Sequence, residues 1–228
     1  MTMSFNVKAL GAFRKLGAVA LITATIFFVA CKQTNGGGGG GKQGAPFVEG
    51  GASLILSPDS LTIRLKAKTE DGSAIEVEGC EETTLKSDVE TELHAKGTKV
   101  VLKGKIAMLN CQGNQLTAFN VQGCASLQRL ICWDNKLTAL NVQGLTALQE
   151  LVCGSNKLTE LNVQGLTSLQ TFSCWNNQLT ALNVQGLTAL QKLGCYGNKL
   201  TTLNVQGLTA LQKLDCSENQ LTELNVQG

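Results

Sequence analysis

The sequence has little of what enzymes use for catalysis. His94 is its only histidine, and no serine or cysteine accompanies it in a recognisable catalytic motif. The chain contains no P-loop, no G-x-G-x-x-G that opens a helix and no histidine pair at metal-ligand spacing. The glycines at 36–41 lack the flanking strand and helix of a phosphate-binding loop. We therefore predict no enzymatic activity, no cofactor and no metal site.

Surplus charge of either sign is also missing. The chain has 19 basic and 17 acidic side chains, and residues 1–30 hold Lys8, Arg14 and Lys15 without any acid. The remainder therefore carries 16 basic against 17 acidic side chains, a net charge of −1. A nearly neutral chain gives no reason to expect nucleic acid or a strongly anionic membrane surface as a partner.

What the sequence does contain is a repeat. Residues 103–228 consist of six copies of a 21-residue unit, clearest in LTALQELVCGSNKLTELNVQG at 145–165. Apolar residues occupy positions 1, 4, 7, 9, 14, 17 and 19 of the unit. Positions 7 and 9, like 17 and 19, are two residues apart, so each pair lies on one side of an extended segment. Each copy is predicted to form a short strand, a turn at the Asn of position 12, a second extended piece and a Gly bend, and the copies are predicted to stack as parallel strands.

These motifs resemble a known family. The string L-x-x-L-x-C-x-x-N-x-L at 148–158 resembles the leucine-rich-repeat consensus with Cys in one core position. The following L-T-x-L-N-V-Q-G at 158–165 is similar to repeats of bacterial surface leucine-rich-repeat lipoproteins, particularly the spirochaete type. The resemblance covers the six copies. It implies a mainly β fold, a leucine-rich-repeat solenoid with a parallel β-sheet preceded by a small β-rich N-terminal cap region.

The first 46 residues are predicted to export and tether the chain. Residues 1–30 read as a lipoprotein-type signal peptide, with basic residues ahead of an apolar run that starts at Leu16. The run ends in Phe28-Val29-Ala30-Cys31, which resembles the bacterial lipobox and implies lipidation of Cys31. A plain secretory signal with an incidental cysteine is the alternative. Residues 31–46 are predicted to be a Gly-rich flexible tether.

Residues 47–102 are predicted to form the β-rich cap. Apolar residues alternate with basic ones over 61–68, which predicts a half-buried strand with a basic outer face, and Asp71-Gly72 predicts a turn. Residues 93–104 resemble a shortened copy of the repeat, so we expect the cap to grade into the array as its atypical first unit. A separate ligand-binding β domain is the alternative. Because the chain stops at Gly228 without a polar capping unit, we expect the last apolar layer to be incompletely covered.

Two columns of the repeat are predicted to be structural. Position 9 points into the core, so its cysteines are expected to be buried thiols, with a disulfide or a metal as alternatives that their geometry disfavours. They are Cys111, Cys132, Cys153, Cys174, Cys195 and Cys216. Position 12 carries an Asn in every copy, which is expected to satisfy backbone groups of the tight turn.

The variable positions point to a contact surface. The two tryptophans and the one tyrosine all stand at position 10, just after the buried cysteine, and charged residues occupy position 6 of several copies. Because such aromatic residues anchor protein interfaces, we predict a partner-binding ridge. It comprises Trp133, Trp175, Tyr196, Arg129, Glu150, Lys192 and Lys213. The alternative is that the rings only cover the neighbouring turn.

The resemblance implies a function as well. It implies a lipid-anchored leucine-rich-repeat binding protein of the outer membrane or cell surface, an adhesin that attaches to host matrix proteins, host cells or other bacteria. The expected partners are such proteins, with the membrane engaged only through the lipid anchor. The alternative is a periplasm-facing structural or envelope-assembly scaffold lipoprotein.

Overall fold

A computed structural model describes residues 44–226 and a short strand at 4–6. The remainder of the predicted signal peptide, the predicted lipidation site Cys31 and most of the predicted Gly-rich tether lie outside the described residues. None of the described residues forms an apolar helix of membrane-spanning length. The described residues are built from strands and turns alone.

The described residues contain sixteen strands. In chain order they are β1 (Ser4–Asn6), β2 (Gly51–Ile55), β3 (Thr62–Thr69), β4 (Ile75–Glu78), β5 (Thr84–Leu85), β6 (Val89–His94), β7 (Lys99–Lys103), β8 (Ile106–Asn110), β9 (Ala118–Asn120), β10 (Arg129–Ile131), β11 (Glu150–Val152), β12 (Thr171–Ser173), β13 (Lys192–Gly194), β14 (Thr202–Asn204), β15 (Lys213–Asp215) and β16 (Glu223–Asn225).

The six copies stack as predicted, in a parallel sheet. Strands β8, β10, β11, β12, β13 and β15 are neighbours in that order, and each pairs with the next copy at the same repeat position, as Leu130 does with Leu151. Leu151 and Cys153 are fully buried, while Glu150 and Val152 lie on the outer face and are half-buried. The leucine-rich-repeat solenoid is therefore confirmed.

The Asn of position 12 joins neighbouring copies. The Asn156 Nδ2 donates to the carbonyl oxygens of Cys153 (3.2 Å) and Gly154 (3.1 Å) in its own copy and of Cys132 (3.0 Å) in the preceding one. Its Oδ1 accepts the N–H of Leu137 at 3.0 Å, also in the preceding copy. The same side-chain pattern recurs at the Asn residues of the neighbouring copies. One amide thus bonds to four backbone groups, of which, among the described residues, only the Gly154 carbonyl has a further backbone partner, the N–H of Asp134 at 3.1 Å.

A second set of amide bonds explains why positions 18 to 21 read Asn-Val-Gln-Gly in every copy. The Asn162 Oδ1 accepts the N–H of Gln164 at 3.0 Å, which fixes the turn. The Gln164 Nε2 then donates to the carbonyls of Asn183 (3.0 Å) and Gln185 (3.3 Å) in the next copy. Gly165 takes a φ of 83°, a left-handed conformation that glycine adopts without strain. This second set of bonds runs on the side of the solenoid opposite the parallel sheet.

The N-terminal region extends both walls of the solenoid with antiparallel strands. Strand β3 pairs with β8, and β6 pairs with the far edge of β3. On the other side, β5, β4, β7 and β2 form a sheet that ends on β9 of the first copy. The half-buried strand predicted at 61–68 is confirmed as β3, since Ile63, Leu65 and Ala67 are buried.

The expectation that residues 93–104 form a shortened repeat is wrong. Strand β6 runs antiparallel to β3, and β7 runs antiparallel to β2 and β4, so neither stacks in parallel on a repeat strand. Alternating burial is common to antiparallel strands and to the strand part of the repeat, which accounts for the likeness in sequence.

One hydrophobic core runs through both regions, from Ala52 in the cap to Cys216 in the last copy. At their junction, Asn114 of the first copy finds the partners that a preceding copy would have supplied. Its Oδ1 accepts the N–H of Arg64 (2.8 Å), and its Nδ2 donates to the Arg64 carbonyl (2.7 Å). At the other edge of the sheet β1 pairs with β15, while Leu221 and Leu224 are half-buried and Val226 is exposed.

Candidate functional site: an aromatic stack on the outer face of the sheet

The outer face of the parallel sheet presents positions 6, 8 and 10 of each copy. Because neighbouring copies pair in register, each of these positions forms a row across the sheet, with about 4.8 Å between strands. The three aromatic residues predicted to bind a partner lie in one such row, just beyond the ends of their strands.

The structure brings the three rings together into a continuous stack. The Trp175 and Tyr196 rings lie 5.7 Å apart between centroids and are nearly parallel, with an interplanar angle of 3°. The Trp133 and Trp175 centroids are 6.1 Å apart and their planes are tilted by 42°. All three side chains are half-buried. We call Trp133, Trp175 and Tyr196 the aromatic stack.

The contact between the two tryptophans depends on Gly154, which the sequence prediction missed. Trp133 and Trp175 are two copies apart, so two strand spacings would separate them by about 10 Å. Gly154 holds the same position in the intervening copy, and a Cβ added there would lie 2.7 Å from the Trp175 Nε1 and closer to the ring carbons. The Trp175 ring therefore lies over Gly154 and reaches Trp133. A glycine between two tryptophans in the aromatic column was the signal available in the sequence.

The turn after the stack has an unusual backbone in every copy. Position 11 takes a positive φ between 46° and 68° in all six copies, in Gly113, Asp134, Ser155, Asn176, Gly197 and Glu218. A Cβ on Gly197 would collide with the Asn176 Oδ1, so the turn after Tyr196 packs closely on the turn after Trp175. This close approach accompanies the parallel stacking of the Trp175 and Tyr196 rings.

The four charged residues predicted for the ridge fall into two separate pairs. The Arg129 Nε lies 3.2 Å from the Glu150 Oε2, so these neighbours neutralise each other. Lys192 and Lys213 are also side by side, in register on β13 and β15, and both are exposed. Neither forms an ion pair within the described residues. Like charges in register repel, so the two exposed lysines form a locally positive area on this face.

The cysteines of position 9 are buried and free, as predicted. Burial raises the pKa of Cys132 and Cys174 to about 12, and it raises the pKa of Cys153 well above the usual range. These thiols are therefore neutral at physiological pH and act as small apolar side chains. Cys80 and Cys124 are buried and free as well.

No protein-family description matches this chain, and neither does any curated protein. Among solved structures it is similar to the functional domain of InlJ from Listeria monocytogenes, a domain that includes a cysteine ladder. The two are 36% identical over 54% of this chain and 28% of the listerial chain, with a TM-score of 0.51.

Two further solved structures are similar to this chain. One is a leucine-rich-repeat protein from Leptospira interrogans, 30% identical over 46% of this chain and 32% of that one, with a TM-score of 0.41. The other is the internalin InlF from Listeria monocytogenes, 25% identical over 51% of this chain and 40% of that one, with a TM-score of 0.42.

The likeness to the InlJ domain agrees with the geometry described above. The aligned part is about half of this chain but spans little more than a quarter of the listerial one. The cysteine ladder of that domain has its counterpart here in the column of buried thiols at position 9. The repeats of this chain therefore form a leucine-rich-repeat solenoid with turns of about 21 residues and a ladder of buried cysteines.

Proposed function

We propose that this protein is a lipid-anchored cell-surface binding protein, an adhesin whose outer sheet face attaches to a host protein, a host cell or another bacterium. The observation that carries the proposal is the aromatic stack on this face. Trp and Tyr are the side chains that most often dominate binding at protein interfaces, because they offer large contact areas and lose little conformational entropy.

The surroundings of the stack support this role. Ile131 and Val152, the neighbouring residues of position 8, are half-buried and place an apolar strip beside the rings. The lysine pair Lys192 and Lys213 lies at the other end of the same face and offers positive charge. An interface with an aromatic and apolar centre and a charged margin is the usual arrangement at protein contacts.

The backbone under this face is held by the Asn bonds between copies, and the Trp175 ring is held by its seat on Gly154. Side chains that are ordered before binding lose less entropy when a partner docks. The resemblance of the listerial domain supports a role in protein binding for the repeats, and the partner class is part of the proposal.

The proposed arrangement has four parts: the signal peptide at 1–30, the tether at 31–46, the cap at 47–102 and the repeats at 103–228. Acylated Cys31 would hold the protein on the outer membrane, since two acyl chains anchor stably where one does not. A tether of this composition spans roughly 20–25 Å and would lift the sheet off the lipid surface. Many copies on one cell would then turn modest single contacts into firm attachment.

The experiment that tests the binding face is a capture assay with the full chain against host matrix proteins and intact host cells. Replacing Trp133 and Trp175 by Ala together should weaken capture by about 30-fold or more, because two anchors that contribute roughly 1–2 kcal/mol each lose about 2–4 kcal/mol together. Glu160→Ala, on the opposite face of the solenoid, is the matched control and should bind like the wild type. Equal capture by the double variant and the control would show that the aromatic stack does not take part in binding.

Protease treatment of intact cells tests the location separately. A surface adhesin is cut, whereas a periplasm-facing scaffold lipoprotein is protected until the outer membrane is broken. Protection would favour the scaffold, with a neighbouring envelope protein as the partner of the same face.

A further inference from the structure

A cleft lies where the cap meets the first copy of the repeat, at the N-terminal end of the aromatic stack. It has a volume of about 360 Å³, and its walls come from both regions. The cap contributes Arg64, Lys66 and Glu90 from β3 and β6, while Asn110 and Gln112 of the first copy and Trp133 of the second complete it. We call this the junction cleft.

Trp133 is the aromatic residue that lines the junction cleft. Trp175 contacts Trp133 from the side of the later copies, whereas the cleft adjoins it from the side of the cap. The first copy carries Gln112 at the position of the stack, so no fourth ring continues the row. An aromatic face has a negative potential that attracts the weakly positive C–H groups of a ligand ring.

The two cationic side chains that line the junction cleft are each paired with a carboxylate. Strand β3 brings Arg64, Lys66 and Lys68 to this side, and they face Asp88, Glu90 and Glu92. The Arg64 guanidinium lies 2.8 Å from the Glu92 carboxylate, and the Lys66 Nζ lies 2.8 Å from Asp88. Of these six groups only Arg64, Lys66 and Glu90 line the cleft, and Glu92 and Asp88 pair with the two lining cations from outside it, so neither cation is left unpaired to select an anionic ligand.

Two side-chain amides of the junction cleft can still form hydrogen bonds. The Asn110 Oδ1 accepts the backbone N–H of Gln112 at 3.2 Å, which holds the Asn110 side chain in place. Within residues 44–226, the Asn110 Nδ2 and the Gln112 side-chain amide bond to no other protein group. Amides both donate and accept, which matches hydroxyl groups, since these also do both.

From these observations we propose that the junction cleft binds a neutral saccharide unit. One face of the sugar ring, rich in C–H groups, would pack on Trp133, and its hydroxyls would bond to Asn110, Gln112 and Glu90. The cleft volume lies at the lower end of the range for small-ligand pockets, which suits a single saccharide unit of a glycan. This site goes beyond the proposed adhesion to protein, and most of its residues are distinct from the stack.

The test uses the full chain labelled with ¹⁵N and follows its two indole N–H signals during titration. The probes are galactose, glucose and N-acetylglucosamine, with galacturonate as an anionic comparison. Spectra of Trp133→Phe and Trp175→Phe assign the two signals. At least one neutral probe should shift the Trp133 signal in a saturable way, more strongly than the Trp175 signal and at lower concentration than galacturonate.

Matched glutamine variants locate the site. Gln112→Ala should weaken binding about 3- to 10-fold, the usual loss for one hydrogen-bonding side chain. Gln178→Ala removes an exposed glutamine of a later copy outside the cleft and should bind like the wild type. The proposal is overturned if no neutral probe moves the Trp133 signal, if galacturonate binds more tightly, or if the two glutamine variants behave alike.

Tyr196→Ala separates this site from the proposed protein-binding face. The variant should keep saccharide binding and lose part of the capture of a protein partner, because Tyr196 lies in the stack but not in the junction cleft. A failure of either proposal is therefore visible without the other.

Discussion

The cap and the repeats cover the same core but are held together by different interactions. Among the described residues, six of the seven ion pairs join side chains of the strands and loops before β8, and only Arg129–Glu150 joins two repeats. The repeats instead rely on Asn and Gln side chains that bond to the backbone of a neighbouring copy. The cap thus adds several different exposed ion pairs to its apolar core, whereas the array uses one buried bonding pattern many times.

The largest effect on stability is expected from removing one of the position 12 Asn side chains that join neighbouring copies. Asn156→Ala removes four hydrogen bonds at a buried site and leaves the Leu137 N–H without another partner among the described residues, so the free energy of unfolding should fall by about 3 kcal/mol. Urea unfolding followed by circular dichroism measures the loss. Asn162→Ala is the matched control, because Asn162 accepts one bond at an exposed turn, and it should cost about 1 kcal/mol or less. Equal losses would show that the buried Asn156 side chain contributes no more to stability than the exposed Asn162 side chain.

The next largest effect is expected from a substitution at Gly154, which tests packing within the repeats. Gly154→Ala forces a methyl group into the Trp175 ring, so unfolding should become easier by about 1–3 kcal/mol and the Trp175 ring should move away from Trp133. Tryptophan fluorescence and urea unfolding report the two changes.

Gly194→Ala is the control for Gly154→Ala. Gly194 lies on the same face, but an added Cβ there meets the Ser173 Oγ at 3.5 Å, an ordinary contact. This variant should leave stability and fluorescence nearly unchanged. Similar changes in both variants would contradict the conclusion that the Trp175 ring packs directly on Gly154.

The smallest effect should appear in the cap, as a dependence on pH. The His94 Nδ1 lies 2.7 Å from the Glu82 Oε1, and this hydrogen bond raises the pKa of His94 above 6.5 and lowers the pKa of Glu82 from 4.5 to about 2. The stabilisation from His94 is present below pH 6.5 and is lost as pH rises through its folded pKa. That from Glu82 is present above pH 4.5 and is lost as pH falls towards 2. The effect is small because His94 is exposed and Glu82 is only half-buried, so solvent screens the pair.

His94→Gln provides the measurement. Thermal midpoints of the wild type and the variant should converge as pH rises from 6 to 9, because the wild type loses its advantage there. Hydrogen exchange at Leu151 is the internal control, since the buried thiols of the array stay neutral throughout this range. A constant gap between wild type and variant would exclude the ion pair as its source.

The array could be predicted from the sequence because its contacts repeat with its period. Once positions 7 and 9 are assigned to the core, position 6 must face outward in every copy. Leu151 and Cys153 are therefore buried, and Glu150 points away from the core. The cap could not be predicted in the same way, since nothing local distinguishes the antiparallel pairing of β6 with β3 from a parallel turn at 93–104. Contacts that skip a copy, such as the contact of Trp175 with Trp133 across Gly154, could not be predicted either, because they do not repeat with the period of the array.

The regular offsets of the amide bonds have a consequence for how such an array changes length. Each Asn of the inner copies bonds to a carbonyl 24 residues earlier and to an N–H 19 residues earlier, and each carries the same amide. A duplicated unit of 21 residues would bring every donor and acceptor that its neighbours need, wherever it was inserted. Unequal recombination within the array could therefore lengthen or shorten the outer face one row at a time, leaving the cap and its junction with the first copy unaltered.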